Sequence, residues 1–65
     1  MWTVIYLAKN KKLAEKISGH ISEEGVLVKI QPVNKNAEDE NDYFEILVPE
    51  AEVEEAHSIL FELGY

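Results

Sequence analysis

Residues 26–48 read VLVKIQPVNKNAEDENDYFEILV, and the way this stretch folds decides the architecture. Val26-Leu27-Val28-Lys29-Ile30-Gln31 alternates and is rich in branched residues, so it reads as a strand. Pro32 falls near its end. Proline has no N–H to give to a ladder, which predicts an edge position or a bulge there. Residues 34–42 are polar and acidic, with no apolar anchor beyond Ala37, and read as a loop. Tyr43 to Val48 is strand-like again, and Pro49 ends it. Two strands joined this way return on each other as an antiparallel pair.

The same reading extends outward in both directions. Trp2-Thr3-Val4-Ile5-Tyr6-Leu7-Ala8 is β-branched and aromatic and makes a first strand. Both of its alternating sets are apolar, which predicts cover on both faces. Asn10 suits an N-cap. Leu13, Ala14, Ile17, His20 and Ile21 follow at helical spacing, and Gly25 stands where a left-handed residue would release the helix. A helix is therefore predicted over residues 11–24. Gly19 inside it costs about 1 kcal/mol relative to alanine, which close approach to another backbone would explain. After Pro49, Val53, Ala56, Ile59, Leu60 and Leu63 make one apolar face, so residues 50–63 form a second helix. Its Glu-rich start suits the positive end of the helix dipole, and Gly64 closes it.

The order is β-α-β-β-α, in one α+β domain over residues 1–65. A strand, a crossover helix and a parallel strand leave room for the third strand between them. The predicted fold is a three-stranded mixed sheet in order 1-3-2 with both helices on one face, a ferredoxin-like unit lacking its last strand. Pleat alternation puts Ile5, Leu7, Val26, Val28, Ile30, Phe44, Ile46 and Val48 against the helices. The opposite set holds Trp2, Val4, Tyr6, Leu27, Lys29, Gln31, Val33, Tyr43, Glu45 and Leu47. An open face usually turns polar, and this one keeps three aromatics. With a free outer edge on strand one, that predicts an association surface of Trp2, Val4, Tyr6, Leu27, Tyr43 and Leu47.

Size points the same way. A domain of 65 residues buries only roughly 60% of its unfolded surface, and small domains commonly add disulfides, metals or partners. There are no cysteines, so disulfides and thiolate metal sites are excluded and self-association is the remaining common route. The expected partner is a second copy, a homodimer, together with a protein partner that the sequence does not specify. A net charge of −7 opposes binding to nucleic acid or to an anionic membrane. No basic segment precedes a long apolar run, and cysteine-free chains suit a reducing compartment, so a cytoplasmic protein is expected. The charge is uneven. Lys9, Lys11, Lys12 and Lys16 cluster early, whereas Glu38, Asp39, Glu40 and Asp42, then Glu50, Glu52, Glu54 and Glu55, fill the second half.

Few residues carry chemistry. Lys9, Asn10, Lys11 and Lys12 stand where free N–H groups meet the positive end of the first helix, a candidate anion site without a glycine-rich phosphate loop. His20 and His57 lie on or beside the two apolar stripes, each with a glutamate on its own helix face (Glu24 and Glu54). One Glu-x-x-His without partner helices is a weak metal signature, and no metal is expected. Ser18, Ser22 and His20 point to different sides of a helix and form no nucleophile site. The acidic loop lacks the spacing and glycine of an EF-hand. No catalytic residue and no cofactor are expected.

Asn-x-x-x-Ala-Glu-Lys-Ile (Asn10 to Ile17), Glu-Glu-Gly-x-x-Val (Glu23 to Val28) and Val-Pro-Glu-x-x-x-Glu-Glu-Ala (Val48 to Ala56) carry a family resemblance. The chain resembles short bacterial proteins labelled prokaryotic signal-transducing proteins, a class linked by fold to the PII-type nitrogen regulators. The resemblance spans nearly the whole chain and rests on structural motifs. It implies a ferredoxin-like fold and a regulatory or protein-binding role. It also implies a partner-contacting loop at residues 34–42, far shorter here and strongly acidic. Similar short chains sometimes bear enzyme names such as glutamate decarboxylase. That chemistry needs a cofactor pocket and a buried Schiff-base lysine, and every lysine here lies on a predicted polar face or loop. The expected role is a small non-catalytic regulatory or adaptor module. A small-ligand sensor at the strand 1–helix 1 turn is the alternative, and a metal-assisted hydrolase using the two histidines is more distant.

Overall fold

The computed structural model of the chain describes residues 1–34 and 42–65. The elements run β1 (Trp2–Ala8), α1 (Lys11–Glu23), β2 (Lys29–Pro32), β3 (Phe44–Pro49), a 3-10 turn η1 (Glu50–Glu52) and α2 (Val53–Leu63). The sheet has three strands in the order β1-β3-β2. Both neighbouring pairs are antiparallel, because the two parallel strands, β1 and β2, never touch. The sheet is therefore antiparallel rather than mixed. The β-α-β-β-α order and the central place of β3 are as the sequence predicts. The acidic stretch at 35–41 lies outside the described residues.

Local chemistry sets the ends of each element. The Asn10 side chain accepts from the Leu13 N–H at 2.7 Å and starts α1. Gly25 sits at φ 86°, where a side chain would be strained. Its N–H bonds the Ser22 carbonyl at 2.9 Å, and the Val26 N–H reaches the Ile21 carbonyl at 3.4 Å. This is a Schellman stop, sealed by apolar Val26 and Ile21, both buried. The same device ends α2. Gly64, at φ 87°, bonds Phe61, and Tyr65 bonds back to Leu60 at 2.9 Å. Gly19 differs: among the described residues nothing lies within 4 Å of the position a Cβ would take, so no close approach by them accounts for it.

Both helices lie on one face of the sheet and enclose the core. Ile17, Ile21, Ile46 and Val48 are its largest fully buried side chains, joined by Ala8, Ala14, Val26, Ala56 and Leu60. Burying one such isoleucine contributes roughly 1.5–3 kcal/mol. β2 is shorter than its sequence pattern suggests. Val26 to Val28 form no ladder and serve as the approach from the Schellman stop, with Val26 committed to the core. The prolines sit where the sheet makes no demand on them. Pro49 closes β3 opposite Trp2, beyond the point where β2 begins at Lys29. Pro32 lies on the edge strand β2, facing Phe44.

Candidate binding surface

The pairing of β1 with β3 breaks step in the middle. Val4 pairs with Leu47 and Tyr6 with Ile46, so Ile5 is an extra residue, a β-bulge. One extra residue reverses which face every later side chain takes. Beyond the bulge, Tyr6 and Ala8 therefore point toward the helices, and Leu7 points to the open face. This corrects the simple alternation for two residues. Tyr6 is not on the open face: it packs against the core, with its ring edge-on to Tyr65 at 5.8 Å between centroids and 71° between planes. Leu7 is not against the helices: it is 53% exposed, opposite Glu45.

Trp2, Val4 and Leu7 thus form one apolar stripe along β1, at 41%, 43% and 53% exposure. The rest of the open face is already occupied by the chain itself. Leu47, at its centre, is only 6% exposed and offers no contact surface, contrary to the expectation for it. Its ladder neighbours are Val4 on one side and Lys29 on the other. The Lys29 ammonium lies 4.5 Å from the centre of the Trp2 ring, two strands away. To get there its methylene stem must cross β3, which lays it over Leu47. Gln31 Nε2 donates to Glu45 Oε1 at 2.8 Å in the next row. The open face is therefore apolar along β1 and polar along β2. Leu27 and Tyr43 are exposed, but both stand outside the strands, so the structure does not place them in the stripe.

The backbone phase of both edges can be read from two bonds. Glu50 N–H donates to the Met1 carbonyl at 2.8 Å. Antiparallel pairs alternate, so Thr3 turns its groups to β3, and Trp2 and Val4 turn theirs outward. On the other side, Val33 N–H donates to the Tyr43 carbonyl at 3.1 Å. The same alternation leaves Ile30 and Pro32 facing outward from β2, and Pro32 brings no donor.

Comparison of the chain with protein-family models, with curated proteins and with solved structures finds no match. The surface must therefore be judged on its own chemistry.

The other candidates gain little from the structure. Lys9, Lys11 and Lys12 are exposed at the start of α1. The oxygen of Asn10 is spent on Leu13, and no acidic residue occupies the first turn. His20 is half-buried in the last turn of α1, whereas His57 is exposed on α2. Among the described residues no three His, Cys, Asp or Glu side chains come together as metal ligands. None of the polar or charged residues described is buried. Lys9, Lys11, Lys12, Lys16 and Lys29 are all exposed. No helix among the described residues is long and apolar enough to cross a membrane.

The bulge is what sequence reading misses. β1 carries no charged residue in either of its alternating sets, so no charge marks which parity applies. Without that marker the strand looks regular, and Tyr6 and Leu7 exchange places on paper.

Proposed function

We propose that the chain is a small non-catalytic regulatory or adaptor module that acts by protein binding, assembled as a homodimer through its sheet face or first-strand edge. One observation carries this reading: Trp2, Val4 and Leu7 expose an apolar stripe on the strand that, among the described residues, has no neighbour on its outer side. Apolar side chains beside open donors and acceptors are the two halves of a strand-pairing surface. The resemblance to signal-transducing proteins adds support for a regulatory role. The alternative, an anion or nucleotide sensor at Lys9, Asn10, Lys11 and Lys12, has only exposed lysines at a helix start behind it.

The test is the solution mass. Light scattering over a concentration series should give twice the chain mass, and Trp2→Lys should return the single-chain value. A single-chain mass throughout would refute the homodimer. A thermal-shift screen with inorganic phosphate and nucleotides examines the sensor, since a ligand that binds only the folded state raises the midpoint.

A further inference from the structure

Resting on that reading, we propose that the occupant of the β1 edge is a second copy of this chain, paired antiparallel about a two-fold axis beside Thr3. Trp2 of one copy then lies opposite Val4 of the other, and the two sheets continue into one.

Register follows from the bulge. Only Trp2 to Val4 lies before Ile5 in unbroken pairing, and within it the outward-facing residues are Trp2 and Val4. A two-fold strand pair must match outward residues with outward residues. Centring on Thr3 does so, setting Trp2 against Val4 of the second copy and Val4 against Trp2. The side chains of these four residues meet on the open face as two aromatic–branched cross-strand pairs. Centring on Val4 would set Trp2 against Tyr6 of the second copy, and Tyr6 has been turned to the opposite phase by the bulge. The bulge therefore selects one register.

Charge selects the second copy and the direction. The chain carries −7 overall, yet residues 1–8 hold no charged side chain, so the two strands themselves bring no like charges together, and the one cation over Trp2, the Lys29 ammonium, comes from β2. β1 climbs toward Lys9, Lys11 and Lys12, and β3 descends toward Glu50, Glu52, Glu54 and Glu55. Antiparallel pairing turns the basic end of each copy toward the acidic end of the other. Parallel pairing would set like ends side by side. The β2 edge has no such fit, since it spans only Lys29–Pro32 and ends on a residue without a donor.

The chain has no cysteine, so one introduced thiol reports alone. Thr3 faces Thr3 of the second copy in a pair without mutual hydrogen bonds. Such pairs hold Cα atoms about 4.5 Å apart, within the range a disulfide spans. Thr3→Cys in a glutathione buffer should become covalent dimer at least about tenfold faster than Leu7→Cys, whose thiols this register holds apart. With reductant, Thr3→Cys should keep the mass and circular dichroism of the natural chain. A synthetic chain with an N-methylated Val4, which removes one outward donor and no side-chain atom, gives the second readout and should show single-chain mass. A two-chain mass with Leu7→Cys cross-linking as fast as Thr3→Cys would overturn the edge pairing and leave a face-to-face dimer standing. So would an N-methylated Val4 chain that still dimerises. A single-chain mass for the natural protein at every concentration would remove both readings together.

Discussion

The two edges of this sheet are built from the same central strand and end up opposite in character. β1 presents seven residues with no charge, two of its first residues facing outward with both donor and acceptor. β2 presents four, flanks Lys29 and Gln31 on the open face, and closes on a proline. Blunting one edge with brevity, charge and proline is the ordinary way a sheet protects itself from unwanted pairing. The other edge is left uncharged, which is the character the proposed pairing uses. The bulge at Ile5 tightens the contrast, because it limits the open edge to one short stretch with one phase.

The largest effect is expected at the strand the edges share. Ile46 is fully buried and pairs with Tyr6 on one side and Ile30 on the other. Ile46→Ala should cost about 2–5 kcal/mol in urea unfolding, and should weaken both edges at once. A loss well under 1 kcal/mol would mean the core is not organised around β3.

The two glycine stops separate the edges. Gly25 releases α1 toward β2, and Gly64 sets Tyr65 beside Tyr6 of β1. Each forces a positive φ on whatever replaces it, so Gly25→Ala and Gly64→Ala should each cost about 1–2 kcal/mol by thermal or urea unfolding. Only Gly64→Ala should alter association, through the support it removes from β1. Equal effects on association would blur the distinction drawn here.

Gly19→Ala sharpens the comparison from a neutral position. With open space where its Cβ would go, alanine should add about 0.5–1 kcal/mol of stability and leave the solution mass unchanged. A destabilised variant would show that α1 needs glycine for a reason the packing does not reveal.

Most of the fold was legible because its signals are local. Asn10, Gly25, Pro49 and Gly64 each act within a turn of their own position, and the apolar spacing of both helices needs no long-range partner. The 1-3-2 order followed from chain connectivity. What failed was parity along β1. A bulge depends on how a strand meets its neighbour, and nothing in Trp2 to Ala8 records that. The sequence pattern alone therefore puts Tyr6 on the wrong face. The pattern puts Leu47 on the right face but cannot show that it is covered, since the reach of Lys29 across β3 is a tertiary event. The stripe that survives, Trp2, Val4 and Leu7, is half a sequence reading and half a consequence of one inserted residue.

The smallest effect is expected from the polar half of the open face. Lys29→Ala removes the ammonium from the Trp2 ring and should cost about 0.5–1 kcal/mol. Trp2 fluorescence should change as the ring loses its cover. An unaltered spectrum would mean that Lys29 does not hold the ring in solution.

Amide hydrogen exchange compared between dilute and concentrated protein tests the contrast between the edges most directly. The Trp2 and Val4 amides should exchange freely in dilute solution and become protected as concentration rises, while the Ile30 amide on β2 stays unprotected throughout. Trp2 and Val4 amides that exchange as fast as Ile30 at every concentration would contradict it.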